Sequence, residues 1–504
     1  MIKILDAEQI RECDQYTIEN EPVRSIDLME RAATKCFEVI RRRIKKQQPV
    51  KVFCGPGNNG GDGLAIARML GGTGHRTQVF ILDMGSPSED FQVNEKRLIN
   101  VRNVSIQKLG KDDALPGVEK DDLVIDALFG SGLSRPLEGL PGRLVEHINS
   151  SEAVVIAIDF PSGLFCENNE GNDPKRIVRA DHTLTFQVPK LAFLFPENDN
   201  FVGQWEVLDI GLHPHAIAAA ETSHFILDAT DIRSYYRRRS KFSHKGTYGH
   251  ALLVAGSKGK AGAAVLGARA GLRSGVGLLT VYAPQCTHQT IQATVPEAMY
   301  LPDAHEEYLT GIPDISPYAA IGVGPGLGTD PQTQNALKLL IQQSARPLVM
   351  DADALNILAE NPTWLAFLPK GSILTPHPGE FQRLVGKATD SYERLQMARD
   401  FVFRFQVVLV LKGAFTMIVS PDGRIWFNPT GNPGMATGGS GDVLTGIILG
   451  WLAQGYTPLE SAMAGVFIHG VAGDAAASRK GFEGLIAGDI IEHIPKATKG
   501  VLGL

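Results

Sequence analysis

The segment Asn428–Gly446 carries the residue types that phosphoryl transfer requires. It reads NPTGNPGMATGGSGDVLTG, in which Gly438, Gly439 and Gly441 allow a positive φ and leave no side chain between backbone and ligand. Asp442 then falls in the first turn of the helix that the following apolar residues predict. The unpaired N–H groups and the dipole at such a helix start favour a phosphoryl group. A carboxylate beside that anion site is well placed to take a proton from an attacking hydroxyl.

Asp442 also has an alternative interpretation, because aspartate often caps a helix without a catalytic role. The other glycine turns of the second half favour a binding site. The turn at 256–262 leads into an apolar helix that begins near Ala263, and GPGLG at 324–328 follows a predicted strand at 319–323. Glycine turns that follow strands and open helices are where α/β proteins bind phosphates.

Two further side chains of the second half are candidates for ligand contacts. His377 stands between Pro376 and Pro378 in a loop, where a ligand role is favoured over that of a buried, satisfied histidine. Lys412 follows a continuous apolar strand and begins a turn that ends at Thr416. Its ammonium and the amides of the turn are suited to the phosphates of a nucleotide.

The first half of the chain contains a glycine-rich turn of a different kind. GPGNNGGDG at 55–63 stands between a short strand at 50–54 and a helical pattern that includes Leu64. It matches neither a Walker sequence nor GxGxxG. Asn58 and Asn59 add amide groups that can hold a cation or an amide-bearing ligand. A structural turn rarely needs five glycines in nine residues, so the segment favours a binding site.

Polar residues stand at the ends of three predicted strands in the first half. The strands at 123–126 and 154–159 run into polar loops, as the strand before GPGNNGGDG does. Because the carboxyl ends of parallel strands gather at one edge of a sheet, we expect Asn59, Asp126 and Ser162 to converge. Their oxygens suit a monovalent or divalent cation. Each acid alone is more often a loop cap, so the prediction depends on the whole set.

Length and composition limit the class of protein. A chain of 504 residues exceeds the usual size of one hydrophobic core, so we expect at least two domains. With 49 basic and 55 acidic residues it has no broad basic field, which argues against a nucleic-acid partner. The five cysteines form no CxxC pair, which predicts a reducing cytoplasm and no zinc or disulfide framework. No apolar run approaches the ~18 residues that a membrane span needs, and acids stand too early for a secretory signal.

The alternation of strands and helices predicts an α/β protein with parallel sheets covered by helices on both faces. The alternating pattern of the first half ends near residue 211, and no core pattern follows. We therefore place a first domain at 1–213, a linker at 214–223 and a second domain at 224–504. An apolar helix at 25–44 offers either a core face or a dimer face, and we expect a homo-oligomer.

Four motifs of the first half resemble those of a known family. In chain order they are GPGNNGGDG (55–63), FGSGLSRP (129–136), IDFPSG (158–163) and FQVPKLAF (186–193). They are similar to the N-terminal domain of the YjeF-like bacterial bifunctional NAD(P)H-hydrate repair enzymes. The resemblance implies a Rossmann-like, three-layer α/β/α domain that epimerises the R and S forms of hydrated NADH and NADPH. Phe160 replaces the family's usual isoleucine, and we expect its side chain to pack inward.

The resemblance also implies ligand roles in the first half. It implies a potassium ion bound by Asn59, Asp126 and Ser162. The implied substrate contacts are Asn58, Asn59, Gly60, Gly61, Asp62, Gly130, Ser131, Gly132, Leu133, Ser134, Arg135, Pro136 and Asp159. Epimerising a hydrated ring carbon needs a shuttle for a proton or hydroxide, and Asp159 at a strand end is the first candidate. Lys190 is the second, because a lysine in an apolar segment can have a lowered pKa, although pairing with a surface acid explains it equally well.

The motifs of the second half resemble the C-terminal domain of the same enzymes, a three-layer α/β/α member of the ribokinase-like superfamily. In chain order they are HKGTYGH (244–250), AGSKGKAGAA (255–264), GPGLG (324–328), TPHPGE (375–380), LKGAFT (411–416) and TGNPGMATGGSGDVLTG (430–446). With the earlier motifs, the resemblance covers nearly the whole chain. It implies a dehydratase that acts on the S hydrate and restores NADH or NADPH, with ADP the usual nucleotide in bacteria and ATP elsewhere.

This second resemblance implies nucleotide and hydrate contacts. The nucleotide contacts are Lys412, Gly413, Ala414, Phe415, Thr416 and Gly441. The hydrate contacts are Ala263, Gly326, His377 and Asp442. In the mechanism that follows, Asp442 takes the proton of the hydrate's hydroxyl as that oxygen attacks the terminal phosphoryl group of the nucleotide. Amides near Gly439 and Gly441 hold the developing charge, magnesium bridges the phosphates, and the ring nitrogen then expels phosphate.

Two other classes of protein remain open at this point. A small-molecule kinase of the same superfamily would use the glycine–Asp442 element equally well, but the fused first domain gives a kinase no obvious advantage. A non-catalytic scaffold is the other alternative, since the fold of the first domain also serves such roles. The intact GPGNNGGDG turn and Asp159 argue against it.

Overall fold

The computed structural model describes residues 1–504, which form two compact units. The N-terminal unit is Lys3–Thr222, and the C-terminal unit is Ser223–Leu504 together with Met1–Ile2. None of the helices combines the length and the apolar composition that a membrane span needs. The segment 214–223, expected to be a linker, is helical over Pro214–Ala219. The apolar residues of this helix explain the difference, because Ala216 is buried in a core cluster of the N-terminal unit.

The N-terminal unit is built on a seven-stranded parallel sheet. The chain begins with a short strand, β1 (Ile2–Lys3), which is not part of this sheet. The seven strands of the sheet are β2 (Val50–Cys54), β3 (Thr77–Leu82), β4 (Val104–Leu109), β5 (Leu123–Ala127), β6 (Val154–Ile158), β7 (His182–Phe186) and β8 (Gln204–Leu208). Its helices are α1 (Ala7–Asn20), α2 (Ser25–Arg43), α3 (Asn58–Gly72), α4 (Glu89–Leu98), α5 (Gly139–Asn149), α6 (Asp199–Val202) and α7 (Pro214–Ala219).

Both faces of this sheet are buried. Val52 and Cys54 belong to the core cluster that contains residues of α2, α3 and α4. Phe53, between them in the same strand, belongs to the cluster that contains residues of α5. Because successive side chains of a strand point to opposite faces, the sheet lies between two helical layers, as the sequence predicts. The apolar face of α2 is part of the first cluster, so it is core and not a free dimer face.

The strand order of the N-terminal sheet, β4-β3-β2-β5-β6-β7-β8, fixes the place of the candidate site. The chain runs outward from β2 to β3 and β4 and then returns to β5 on the other side of β2. Such a reversal of direction opens a crevice at the carboxyl ends of the two central strands, where α/β proteins bind ligands. The loops that follow β2 and β5 meet at this crevice.

The C-terminal unit contains an eleven-stranded sheet with the order β1-β9-β18-β17-β16-β15-β14-β13-β10-β11-β12. Its strands are β9 (His224–Ile226), β10 (His250–Val254), β11 (Leu278–Ala283), β12 (Met299–Pro302), β13 (Ala320–Val323), β14 (Leu348–Met350), β15 (Ile373–Leu374), β16 (Val408–Leu411), β17 (Met417–Val419) and β18 (Ile425–Phe427). Its helices are α8 (Ala229–Tyr235), α9 (Ala261–Arg273), α10 (His288–Thr294), α11 (Pro331–Gln343), α12 (Asp353–Glu360), α13 (Pro378–Val385), α14 (Ser391–Phe405), α15 (Ser440–Ala453), α16 (Pro458–Lys480) and α17 (Ala487–Leu502). The seven consecutive strands β16, β15, β14, β13, β10, β11 and β12 pair in parallel, whereas β17 is antiparallel to both β16 and β18. The chain again reverses direction beside its central strand, because β10 lies between β11 and β13.

Helices α9 and α15 approach each other closely through glycines. A Cβ at Gly446 would lie 2.2 Å from the carbonyl oxygen of Gly267, and one at Gly450 would lie 2.9 Å from that of Gly271. Side chains at these positions would push the helices apart. The contact brings the first turns of both helices, which carry Ala263 and Asp442, to the same region of the unit.

Candidate functional site

The glycine turn of the N-terminal unit brings three backbone segments into contact. A Cβ at Gly60 would lie 1.8 Å from the carbonyl oxygen of Gly55, and one at Gly55 would lie 1.9 Å from that of Leu128. None of the five glycines of this turn has a positive φ. They are therefore required for close approach and not for a left-handed backbone. As a result, α3 begins at Asn58 directly beside the end of β5.

A cavity of about 470 Å³ lies at the crevice of the N-terminal sheet. The predicted residues that line it are Asn58, Asn59, Asp62, Gly130, Ser131, Gly132, Leu133 and Asp159. Five other predicted contacts do not line it. Gly60 and Gly61 are buried in α3, and Ser134, Arg135 and Pro136 are exposed beyond the cavity.

Asp159 stands immediately after β6 with a φ of +59°, a conformation that aspartate tolerates better than most residues. Its Oδ2 accepts a hydrogen bond of 3.2 Å from the backbone N–H of Ser131. Its Oδ1 lies 3.4 Å from Nζ of Lys190. Burial raises the pKa of Asp159, but Lys190 and the hydrogen bonds from Ser131 outweigh burial and lower the pKa below its usual value. The carboxyl is therefore ionised at neutral pH.

Lys190 is fully buried, so it is not paired with a surface acid. Its ammonium donates hydrogen bonds of 2.9–3.0 Å to Thr185 Oγ1 and to the carbonyl oxygens of Phe186 and Val188. Three donors are thus directed at protein oxygens in addition to the ion pair with Asp159. This geometry makes Lys190 a fixed positive charge that positions Asp159.

Two of the predicted cation ligands contact each other directly. Ser162 donates to both carboxylate oxygens of Asp126, through Oγ at 2.6 Å and through its backbone N–H at 2.8 Å. Asp126 is completely buried, no cationic side chain pairs with it, and burial raises its pKa to about 6 against these hydrogen bonds. The amide oxygen and nitrogen of Asn59 are also buried and have no hydrogen-bond partner. A buried carboxylate without a cation and an unpaired amide oxygen fit a bound cation.

The cavity also contains acids that the motifs did not indicate. Asp14 of α1 lines it, and burial together with the charge of Asp159 raises the pKa of Asp14 to about 7. Burial first, and the neighbouring acids second, raise the pKa of Asp62 well above its usual value. A sequence signal for Asp14 exists, because it stands at helical spacing from Ile10 and Ile18 on the apolar stripe of α1.

In the C-terminal unit, Asp442 lies in the first turn of α15, as the sequence predicts. Of the nearby glycines Gly438, Gly439 and Gly441, only Gly439 has a positive φ, +89°. A Cβ at Gly439 would lie 2.4 Å from Leu266 of α9, so both its backbone and its surroundings require glycine. Burial raises the pKa of Asp442 to about 6, and Asp351 adds to this rise while Lys412 opposes it.

Lys412 lies between two acids beside this helix start. Its Nζ is 2.8 Å from Oδ1 of Asp351 and 3.8 Å from Oε2 of Glu380. A Cβ at Gly441 would lie 3.5 Å from that Nζ and 3.6 Å from Oδ2 of Asp351. The structure thus brings the lysine of the predicted nucleotide turn to the glycine that precedes Asp442.

The predicted nucleotide turn Lys412–Thr416 joins β16 to β17. Its ends are closed by hydrogen bonds between Thr416 Oγ1 and the N–H and carbonyl groups of Gly413. Gly413 and Ala414 are exposed and Phe415 is half-buried, so the backbone of the turn is accessible to a ligand.

His377 is the N-cap residue of α13. Its Nδ1 accepts hydrogen bonds from the backbone N–H groups of Gly379 and Glu380, and Glu380 accepts one from the N–H of His377. These bonds fix the imidazole ring, whose Nε2 lies 3.5 Å from Oε1 of Glu380. The side chain is 50% exposed, so the histidine is not a buried, satisfied one.

Ala263 and Gly326 lie against each other at the start of α9. Gly326 has a φ of +65°, and a Cβ there would lie 3.0 Å from Cβ of Ala263. Asp353 connects the two loops, because its Oδ2 accepts hydrogen bonds from Nζ of Lys260 and from the N–H of Gly328.

His469 of α16 is a residue of this site that the motifs did not indicate. Its Nε2 lies 3.3 Å from Oγ of Ser440, the first residue of α15. Burial lowers the pKa of His469 to about 4, so the ring is neutral at physiological pH. It therefore supports the helix start without adding charge to it.

Comparison with known proteins agrees with both resemblances. Residues 251–496 match the family model described as NAD(P)H-hydrate dehydratase, and residues 25–192 match that described as YjeF-related protein N-terminus. The bifunctional NAD(P)H-hydrate repair enzyme Nnr of Moorella thermoacetica is 37% identical, over 98% of this chain and 96% of its own length. The enzyme of the same name from Escherichia coli is 33% identical, over 97% of this chain and 93% of its own length.

One solved structure is similar to the second half of the chain. It is the ADP/ATP-dependent NAD(P)H-hydrate dehydratase of Bacillus subtilis, co-crystallised with ATP and Mg²⁺, which is 33% identical. The match covers 55% of this chain and 98% of that structure, with a TM-score of 0.48. The full-length relatives are decisive, because they match both units in one polypeptide: the chain belongs to the family of bifunctional NAD(P)H-hydrate repair enzymes.

Proposed function

We propose that this chain repairs hydrated nicotinamide cofactors. The N-terminal unit interconverts the R and S hydrates of NADH and NADPH, and the C-terminal unit dehydrates the S form at the expense of ADP or ATP. The observation that carries the proposal is the position of Asp442. This half-buried carboxyl with a pKa of about 6 lies in the first turn of a glycine-led helix, next to the lysine of the nucleotide turn.

The proposed dehydration begins with transfer of a phosphoryl group. Ionised Asp442 accepts the proton of the hydrate's hydroxyl as that oxygen attacks the terminal phosphoryl group of the nucleotide, which arrives as its magnesium complex. Lys412 and the free N–H groups of Gly441 and Asp442 stabilise the added negative charge. The ring nitrogen then expels phosphate, which is a better leaving group than hydroxide. His377, Ala263 and Gly326 are proposed to contact the hydrate.

The proposed epimerisation takes place in the cavity of the N-terminal unit. Asp159 remains ionised because of Lys190 and Ser131, and it is available to accept a proton from the hydrate's hydroxyl. Lys190 is proposed to act through Asp159, since its donors are directed at protein oxygens. Asn58, Asp62 and the loop residues 130–133 that line the cavity are proposed to surround the substrate.

A potassium ion is proposed as the cofactor of the N-terminal unit. Asn59, Asp126 and Ser162 would hold it, and the buried, cation-free carboxylate of Asp126 supports this assignment. When bound, the ion would supply a positive charge beside the cavity. Asp126 accepts two hydrogen bonds from Ser162. The side-chain amide of Asn59 has no hydrogen-bond partner in the protein.

The kinase alternative predicts a stable phosphoester, and the proposed function predicts none. The decisive assay is recovery of the reduced-nicotinamide absorbance from mixed R and S hydrate with ADP, ATP or neither. We expect complete recovery with nucleotide, and recovery of only the S fraction in Asp159→Asn. No recovery with either nucleotide would refute the proposal.

We also propose a cytoplasmic location and a homo-oligomeric state. All five cysteines are free thiols, which is consistent with a reducing compartment. Exposed apolar side chains of the C-terminal unit, among them Phe242, Phe367 and Phe403, are candidates for coverage by a second copy. Light scattering on the purified protein tests the oligomeric state, and a monomer mass at micromolar concentration would exclude it.

A further inference from the structure

The N-terminal cavity is lined by three acids, Asp14, Asp62 and Asp159, and Asp14 is the one that α1 contributes. Asp14 belongs to α1, whereas Asp159 follows strand β6. Both residues line the same cavity. Asp159 is fixed by Lys190 and Ser131, whereas no hydrogen bond or salt bridge holds the carboxyl of Asp14. A half-buried acid that no protein group satisfies, at a cavity of this size, is available to a ligand.

We propose that Asp14 is the second acid–base residue of epimerisation, which gives a proton to the ring nitrogen of the hydrate while Asp159 takes the proton of its hydroxyl. This inference rests on the epimerase activity proposed above. It gives a role to a residue of α1, an element outside the motifs.

The reaction balances with these two groups alone. The hydroxyl-bearing carbon is bonded to the ring nitrogen. When Asp159 removes the hydroxyl proton, the O–H electron pair forms a C=O bond, the C–N bond breaks towards nitrogen, and neutral Asp14 protonates that nitrogen. The open form is an aldehyde and an amine, with no change of oxidation state. After rotation about the adjacent C–C bond, the nitrogen adds to the other face of the aldehyde, its proton returns to Asp14, and the alkoxide takes its proton back from Asp159.

The charges around Asp14 are compatible with a neutral acid. The charged or titratable groups that face it are Arg11 of its own helix, Asp62 of α3, Asp90 of α4, and Asp159 with Lys190. Burial and Asp159 raise the pKa of Asp14 to about 7, and Lys190 opposes this only in part. Asp14 and Asp159 thus differ in protonation at neutral pH, which is the requirement for an acid and a base acting together.

Two other groups in the cavity are poorer candidates for this acid. Lys190 is fully buried and its donors are directed at Thr185, Phe186 and Val188. Asp62 lines the cavity but is only 7% exposed within α3, whereas Asp14 is more open to it. A variant of Asp62 therefore belongs in the test.

The test measures interconversion of purified R and S NADPH hydrate by chromatography, without nucleotide, over pH 5.5–9. For Asp14→Asn we expect kcat to fall by about 100-fold or more, the usual contribution of a general acid. In the wild type, kcat/KM should decrease as pH rises through about 7, where Asp14 of the free enzyme loses its proton, and this decrease should be absent in Asp14→Asn. Asp14→Glu should restore part of the rate together with the decrease.

Controls separate this role from a structural one. Glu12→Gln, on the exposed side of the same helix, should keep the wild-type rate. Asp14→Asn should still dehydrate S hydrate with ADP, and its melting temperature at pH 8 should not fall. The melting temperature should not fall because this substitution removes a carboxyl whose ionised form is destabilised in the folded protein. Wild-type kcat in Asp14→Asn, or a decrease lost in Asp62→Asn and kept in Asp14→Asn, would overturn the inference. A wild-type enzyme without epimerase activity would instead refute the proposed function.

Discussion

The ammonium of Lys412 lies 2.8 Å from Oδ1 of Asp351, a carboxylate that is almost completely buried. The other oxygen of Asp351 accepts a hydrogen bond of 2.8 Å from Oγ1 of Thr445. Thr445 stands three residues after Asp442 in α15. One buried acid therefore connects the lysine of the nucleotide turn to the helix that carries the proposed base.

Replacing Asp351 by asparagine should change the pH dependence of dehydration. Asp442 acts as a base in its ionised form, so the rate of the wild type should rise with pH through the pKa of about 6. Asp351 is a negative charge that raises this pKa, and its removal should move the midpoint to lower pH. The rate at pH 8 should fall, because Lys412 loses its 2.8 Å partner. The measurement is kcat/KM for S hydrate with ADP against pH.

Thr445→Val is the matched control for Asp351→Asn. It removes a hydrogen bond from Asp351 but leaves its charge in place, so the midpoint should stay near the wild-type value. A midpoint in Asp351→Asn equal to that of the wild type would show that Asp351 does not act on Asp442.

Asp442→Asn should separate the two activities. A general base accelerates a reaction by about 10²–10⁴-fold, so the rate of dehydration should fall by at least about 100-fold. Epimerisation, measured without nucleotide, should remain at the wild-type rate, because Asp442 is not part of that unit. Asp159→Asn should show the reverse pattern. Equal loss of both activities in either variant would indicate misfolding instead.

Potassium should stabilise the N-terminal unit by binding the folded state only. We expect its melting temperature to be higher in KCl than in choline chloride at the same ionic strength. Asp126→Asn should remove this difference, because the buried carboxylate is the only charge among the three proposed ligands. Asp122→Asn, which alters a buried acid already paired with Lys51, is the control and should keep the potassium effect. Identical melting curves of the wild type in both salts would argue against the site.

The convergence of Asn59, Asp126 and Ser162 near one edge could be predicted from the sequence, because parallel topology alone brings strand ends together. The place of Asp442 could be predicted for a similar reason, since an apolar helical pattern after glycines defines a helix start. These predictions need only local patterns and one rule of sheet architecture.

Other features depend on packing that no local pattern encodes. The entry of Asp14 into the cavity depends on how α1 packs beside the sheet, and the sequence shows only an acid on an apolar stripe. Strand β4 was missed because Ser105, Ile106, Gln107 and Lys108 are all exposed and give no alternating pattern. Of the three glycines that allow a positive φ, only Gly439 adopts one, and Gly441 is already helical.

Lys190→Met should destabilise the N-terminal unit. It leaves Asp159, whose side chain is 13% exposed, without its cation, and breaking a buried ion pair costs about 3–5 kcal/mol. The double variant Lys190→Met, Asp159→Asn should be more stable than the single one, because no uncompensated charge remains. Hydrogen exchange of strands β6 and β7, followed by mass spectrometry, reports on this unit separately. Wild-type protection in Lys190→Met would show that the pair contributes little.

Gly441→Ala should separate stability from nucleotide binding. Gly441 is helical with an ordinary φ, so alanine should leave stability unchanged or raise it by about 0.5–1 kcal/mol. The added Cβ would meet Lys412 Nζ and Asp351 Oδ2 at 3.5 and 3.6 Å, which are ordinary contact distances. It would nevertheless occupy the space beside Lys412 where we expect the phosphates. One extra methyl group in a binding pocket weakens binding by about 10- to 200-fold. KM for ADP should therefore rise within that range, while the melting temperature does not fall.

Gly438→Ala is the control for this last change, because a Cβ there would meet no atom within 4 Å and its φ is also ordinary. It should keep the wild-type KM for ADP. If both alanine variants bound ADP as the wild type does, the phosphates would lie elsewhere than between Gly441 and Lys412. Asp442 would then be too far from the phosphoryl group to act as its base. The comparison of two glycines three residues apart therefore tests the location of the chemistry without removing any functional side chain.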